Sequence, residues 1–166
     1  MKKAYIITGG ESTGSVFISK CISESMGYAG WDGYRFYSPN ENITFLHRSQ
    51  PYGVDGTAYS PYSELAQIFN EHECRYIICT RDLTCSNNSK KQRRSRQKKD
   101  LETAHVNCKS IISEIVNSNE KYFIWNYEAM VYLNDIYFNL LYDFLEIRID
   151  ARKYPEVVDG NRKYLI

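Results

Sequence analysis

The chain has no hydrophobic run long enough to cross a bilayer, no C-x-x-C pair and no clustered histidines. Its five cysteines, Cys21, Cys74, Cys79, Cys85 and Cys108, lack the paired spacing of a zinc site. His47, His72 and His105 are scattered, so no metal site is expected. The opening Met1-Lys2-Lys3-Ala4-Tyr5-Ile6-Ile7-Thr8 holds too short an apolar run for a signal peptide. An odd cysteine count without an export signal points to reduced thiols and a cytoplasmic protein. Neither sign of charge is in excess. The formal net charge is +1, so overall charge singles out no nucleic acid or acidic partner. There are no internal repeats and no interdomain linker. What is abundant is aromatic: 15 Tyr and 7 Phe, enough that some are expected on the surface. At 166 residues the expectation is a single domain over residues 1–166 with a real core.

The most informative stretch comes first. Tyr5-Ile6-Ile7-Thr8 is a short β-branched, apolar run, as in a buried strand. Gly9-Gly10 ends it. Phe17, Ile18, Cys21, Ile22 and Met26 then recur at helical spacing, with Gly27 as C-cap. A strand, a small-residue loop and a helix aim the unpaired first N–H groups of that helix at one point. The helix dipole is positive there, and such a point binds phosphate. A Walker A loop reads G-x-x-x-x-G-K-S/T. Gly9 and Gly14 have that spacing, but Ser15 and Val16 stand where the lysine and the hydroxyl belong. An ordinary ATPase or GTPase is therefore disfavoured. The bland alternative is a tight βα turn whose small residues serve packing.

Gly30 to Asn40, rich in Gly and aromatics, reads as a loop, either a cover for the core or a substrate-facing segment. Ile43-Thr44-Phe45-Leu46 is a second strand candidate, running into His47-Arg48. Ser60-Pro61 opens a helix, with Ser as N-cap and Pro at N1. Leu65, Ile68 and Phe69 form its apolar face, and Glu71-His72-Glu73 ends it. Tyr76-Ile77-Ile78-Cys79-Thr80 is a third strand, followed by Arg81-Asp82. Residues 90–99 carry seven cations in ten positions. They read as a solvated segment, a clamp for an anion or a nucleic-acid patch. Leu101, Ala104, Cys108, Ile111, Ile112, Ile115 and Val116 mark a long amphipathic helix, with His105 packed near its apolar face. Tyr122 to Trp125 is a fourth strand. Leu133, Tyr137, Leu140, Leu141, Phe144 and Leu145 mark a last core helix. Asp159-Gly160 marks a turn before Asn161-Arg162-Lys163. The order β-α-β-α-β-α-β-α predicts an α/β fold with a mostly parallel sheet of about four to five strands, in three layers with helices on both faces.

Three features, in order, resemble the sulfotransferase family, whose donor is 3′-phosphoadenosine 5′-phosphosulfate (PAPS). The family's modified P-loop reads Lys/Arg-Ser-Gly followed by two hydroxyl residues. Here Glu11-Ser12-Thr13-Gly14-Ser15-Val16 has the Ser, the Gly and a hydroxyl residue, with one residue inserted and Glu11 in place of the cation. A second family pattern is Arg-Asn/Asp-Pro, five variable residues and Ser. Arg81, Asp82 and Ser89 match it, with Leu83 for the proline. Tyr127-Glu128-Ala129-Met130, with Phe144-Leu145 beyond it, is similar to a third segment, and Asn161-Arg162-Lys163-Tyr164 looks like a donor-binding tail.

The resemblance implies a P-loop NTPase-like fold and sulfuryl transfer from PAPS to an acceptor hydroxyl, on a glycan or small molecule, leaving 3′-phosphoadenosine 5′-phosphate (PAP). It implies a 5′-phosphate held by Gly10, Ser12, Thr13, Gly14, Ser15 and Val16. Arg81 and Ser89 would hold the 3′-phosphate, with Arg162 and Lys163 of the tail beside the donor. No metal is implied. His47 is the expected base, because an imidazole titrates near neutrality; Glu11 is second, and Arg48 is expected to stabilise charge. Two competing classes are a nucleotide or small-molecule kinase with a degenerate P-loop, and a non-catalytic nucleic-acid binder using residues 90–99. Near-neutral overall charge argues against the binder.

Overall fold

In a computed structural model, which describes residues 2–29, 31–33, 35–52, 58–94 and 98–164, the chain forms an α/β fold with a five-stranded sheet and six α-helices among those residues. The elements are β1 (Lys2–Gly10), α1 (Ser15–Ser25), β2 (Arg35–Asn40), β3 (Ile43–Gln50), α2 (Tyr62–Ile68), β4 (His72–Thr80), α3 (Leu83–Arg94), α4 (Lys98–Asn117), β5 (Lys121–Asn126), α5 (Tyr127–Leu133) and α6 (Asp135–Phe144). Two short 3₁₀ turns, Ile149–Ala151 and Arg162–Tyr164, follow. The strand order is β2-β3-β1-β4-β5. β1 pairs in parallel with both β3 and β4, and β4 with β5, while β2 runs antiparallel to β3. The sheet is therefore mixed but mostly parallel.

Both faces of the central strands are buried, which is why those strands read as unbroken apolar runs. On one face Tyr5, Ile7, Phe45, Ile77, Cys79 and Trp125 pack against Ile18 and Ile22 of α1 and against Phe138, Leu141 and Tyr142 of α6. On the other, Ala4, Ile6, Leu46, Tyr76 and Ile78 meet Leu65 of α2 and Ile111 and Ile115 of α4. Each fully buried large side chain contributes roughly 1.5–3 kcal/mol. At the amino-terminal edge, Arg75 is 2 % exposed and is held by Glu146 at 2.6 Å and Glu73 at 3.0 Å. No helix among the described residues is long and apolar enough to cross a membrane.

Several expectations need correcting. Residues 35–40 form an edge strand, not a loop. The β2–β3 hairpin turns at Asn40, whose Oδ1 accepts from the Asn42 N–H at 2.9 Å, and Pro39 is tolerated because the strand is an edge. Gly30 and Tyr34 of that stretch lie outside the described residues. Ser60 does not cap α2: its hydroxyl accepts from Arg48, and Pro61 holds the N-cap position without a side-chain bond. His72 begins β4 rather than ending α2. Residues 83–94 are helical; of the basic run, 95–97 lie outside the described residues. His105 and Val116 are exposed on α4. The last core helix is two helices, broken at Asn134, where φ is 46°. Its buried face carries Phe138, Leu141 and Tyr142, while Leu133 and Leu140 are exposed.

One contact fixes how β1 ends. Gly9 has φ 131°, and a Cβ there would lie 2.1 Å from the Cys79 carbonyl oxygen of β4. Only glycine allows β1 and β4 to approach so closely at the point where the loop begins. Gly9→Ala is expected to cost more than about 2 kcal/mol, from overpacking and from the positive φ. Urea unfolding of both proteins checks this; a loss under about 0.5 kcal/mol would mean that the strands separate there at little cost.

Candidate functional site

Because β1, β3, β4 and β5 are parallel, their carboxyl ends share one edge. The helix after β1 lies on one face; α2 and α4, which follow β3 and β4, lie on the other. Chain connections diverge at β1, and ligands of open α/β sheets bind in the crevice beyond such a strand.

The loop from Gly10 to Gly14 is tied down on every side. Ser12 (φ 67°) and Gly14 (φ 86°) are both left-handed. Thr13 Oγ1 donates to the Gly10 carbonyl at 2.7 Å, which closes the turn. The Glu11 N–H donates to the Gln50 carbonyl at the end of β3. Ser86 Oγ of α3 donates to the Glu11 carbonyl at 3.0 Å. Gly14 is the N-cap of α1 and provides no side-chain cap, so the first turn of α1 presents backbone donors and the positive end of its dipole. Ser15 starts that turn; Val16 is second in it, and its carbonyl lies against Gly33. Glu11 itself is buried, 5 % exposed.

His47 and Arg48 are adjacent on β3 and so face opposite sides of the sheet. The structure brings only His47 to the loop. Its Nε2 lies 2.7 Å from Ser15 Oγ, and the ring has a backbone hydrogen bond at Gly33. Burial disfavours the charged ring and pushes its pKa down to about 4, against the smaller opposing effect of the Gly33 bond. His47 is thus neutral at physiological pH. Arg48 turns to the other face. Its Nη1 donates to Ser60 Oγ at 2.7 Å and to Glu64 Oε1 at 2.9 Å, and its guanidinium lies over the Tyr52 ring. It joins β3 to α2 and does not reach the loop.

Arg81, at the end of β4, does. Its Nη1 donates to the Ser12 carbonyl at 3.0 Å, its Nε to Asn161 Oδ1 at 2.7 Å and its Nη2 to the Gly160 carbonyl at 3.3 Å. The guanidinium lies over two rings, Tyr127 at 4.4 Å and Tyr164 at 5.3 Å. Glu128 Oε1 accepts from the Asp82 N–H and from Asn161 Nδ2. Asp82 caps α3 by accepting from the Cys85 N–H at 2.8 Å, and that bond holds its carboxyl below the usual range. Ser89 is fully buried; its hydroxyl donates to Tyr164 OH at 3.2 Å. Arg162 is exposed beside Asp159, and Lys163 lies over the Tyr164 ring.

Ser12, Thr13, Gly14, Ser15, His47 and Arg81 are therefore brought to one place, with Ser89 one layer below. Tyr127 and Glu128 of the third family-like segment, Gly160 of the expected turn and Tyr164 of the donor-like tail hold Arg81 and its neighbours, contacts with Arg81 that the sequence alone does not show. Tyr127 and Glu128 directly follow a strand end, and that position was the available signal. Lys90, in a run open to a solvated, an anion-clamp or a nucleic-acid reading, is 5 % exposed, four residues beyond Ser86 on the same face of α3. Its charge acts on Cys108, whose sulfur would be 3.7 Å from a Cβ at Gly10. Burial still pushes the Cys108 thiol up to about 11. Among the described residues no group of three His, Cys, Asp or Glu is placed to hold a metal ion.

No protein-family model matches the chain, and no curated protein matches it either.

Because His47 has a native pKa below its unfolded value, the unfolded state binds the proton first. Stability is fully present above about pH 6.5 and falls as pH drops toward 4, by up to roughly 3 kcal/mol. His47→Gln is expected to flatten that part of the profile, measured by urea unfolding at pH 7 and pH 4.5. Equal pH dependence in both proteins would assign the acid sensitivity to other groups.

Proposed function

We propose that the chain is a sulfotransferase with a P-loop-like nucleotide site, taking PAPS as donor and a hydroxyl, on a glycan or small molecule, as acceptor. The observation that carries the reading is the hydrogen bond from Arg81 to the Ser12 carbonyl. It joins two segments 69 residues apart, each of which resembles one half of a two-phosphate site. Chemistry supports the fit: an N-terminal helix turn with backbone donors, hydroxyls at Ser12, Thr13 and Ser15, and a guanidinium within reach of the same loop. Glu11 fits less well. The cation missing from the loop is assigned here to Arg81 and to Lys90 beneath the loop, in place of Arg48.

In this reading the donor supplies an activated sulfuryl group, and the chain's residues position and neutralise. The backbone of 12–16 holds the 5′-phosphate, and Arg81 with Ser89 holds the 3′-phosphate. The acceptor oxygen forms a bond to sulfur as the bond from sulfur to the donor's phosphate oxygen breaks. The acceptor's proton goes to His47, whose neutral ring is the form able to accept it. Ser15, hydrogen-bonded to His47, fixes the ring's orientation at the loop.

Calorimetric titration tests this. PAP is expected to bind in preference to ATP with magnesium; tight ATP binding without preference for PAP would instead favour the degenerate P-loop kinase. Arg81→Ala and Arg81→Lys are expected to lose roughly tenfold or more in PAP affinity, and unchanged affinity would remove Arg81 from the site. His47→Ala is expected to abolish turnover while PAP still binds. Retained turnover would move the base to Glu11.

A further inference from the structure

The residues that this reading assigns to the 3′-phosphate are already engaged by the protein itself. Arg81 spends Nε and Nη2 on the 158–164 segment, through Asn161 Oδ1 and the Gly160 carbonyl. Ser89 Oγ donates to Tyr164 OH, and Asn88 Nδ2 of the same helix donates to the Tyr164 carbonyl at 2.9 Å. Tyr164 is 3 % exposed and its ring lies against the guanidinium. Tyr127 OH donates to the Val158 carbonyl and accepts from the Gly160 N–H. The segment is thus seated on Arg81, Ser89 and Tyr127 together.

The chemistry of that seat is mismatched in charge. Every acceptor that Arg81 uses is a neutral carbonyl or amide oxygen, and among the described residues the guanidinium forms no ion pair. A phosphate oxygen is a stronger acceptor for the same donors, because a charge-assisted hydrogen bond is about twice as strong as a neutral one and a guanidinium can grip phosphate through two bonds. The Ser89–Tyr164 bond is a neutral pair as well.

We propose that residues 158–164 are a displaceable strap that fills the 3′-phosphate subsite with neutral acceptors and leaves it when a 3′-phosphorylated nucleotide binds. This rests on the nucleotide reading above. The strap and a phosphate compete for Arg81 and Ser89, so each contact that holds the strap lowers the apparent affinity for the nucleotide. Asn161 and Tyr164 hold the strap closed; Arg81 serves both states.

The test uses the full chain with PAP as probe. Amide hydrogen exchange of 158–164 is measured by mass spectrometry with and without saturating PAP, and PAP affinity is measured calorimetrically for the wild type, Asn161→Ala and Tyr164→Phe. Expected are faster exchange in 158–164 with PAP bound and roughly fivefold tighter PAP binding by each variant, the worth of one neutral hydrogen bond. Tyr164→Phe keeps the ring and its packing, so it reads the contacts of the Tyr164 hydroxyl, the Ser89 bond among them. If PAP binds and 158–164 exchanges more slowly or unchanged, or the variants bind no tighter, the strap is overturned while the nucleotide site stands. If PAP binds neither the wild type nor a variant, the nucleotide site itself fails and the strap with it.

Discussion

Arg81 occupies the point where β4, the β1–α1 loop, the start of α5 and the 158–164 segment meet. A guanidinium suits that place because it has five donors in a plane and two flat faces. Its edge gathers the carbonyls of Ser12 and Gly160 and the Asn161 amide, while Tyr127 and Tyr164 lie over its faces. The approach of β1 to β4 at Gly9 sets the distance across which this happens.

The site divides by sheet face as well as by strand end. His47 and Arg48 are neighbours in the chain, yet strand alternation sends one to Ser15 and the other to Glu64. Two residues that look like one catalytic pair in sequence therefore belong to different environments. His47 is buried and neutral beside the loop; Arg48 is an anchor between β3 and α2. A second cation, Lys90 of α3, is buried one turn beyond Ser86, whose hydroxyl donates to the Glu11 carbonyl of the loop.

The four parallel strands and the helices α1 and α4 were legible because apolar periodicity reports burial directly. What escaped had a different basis. α3 carries Ser86, Asn87, Asn88, Ser89 and Lys90 and shows no apolar stripe; it is ordered by the Asp82 cap and by polar contacts to Glu11 and Tyr164. β2 was hidden by Pro39 and by flanking glycine, features that an edge strand tolerates and a central one does not. At the site, the glycine spacing of the loop and the strand-end position of Arg81 could be read from the chain. The contacts of Arg81 could not, because its partners come from Ser12, Tyr127 and a segment some 80 residues further on, brought together only by the fold. The exposure of Leu133 and Leu140 has a similar origin: one helix was assumed where Asn134 divides two, so the phase of the buried stripe was lost.

The polar footing of α3 sets its response to solvent. A helix held by an apolar stripe exposes much hydrocarbon when it opens, so its opening carries a large heat-capacity change and a steep denaturant slope. The first half of α3 rests instead on hydroxyl, amide and carboxylate contacts, with Leu83 in solvent and Cys85 the main apolar group buried. Opening of that half would uncover little apolar area, so urea is expected to promote it only weakly. The end of the molecule that carries Ser89 and Lys90 is thus held by contacts of a different chemistry from those of the sheet and its two apolar layers.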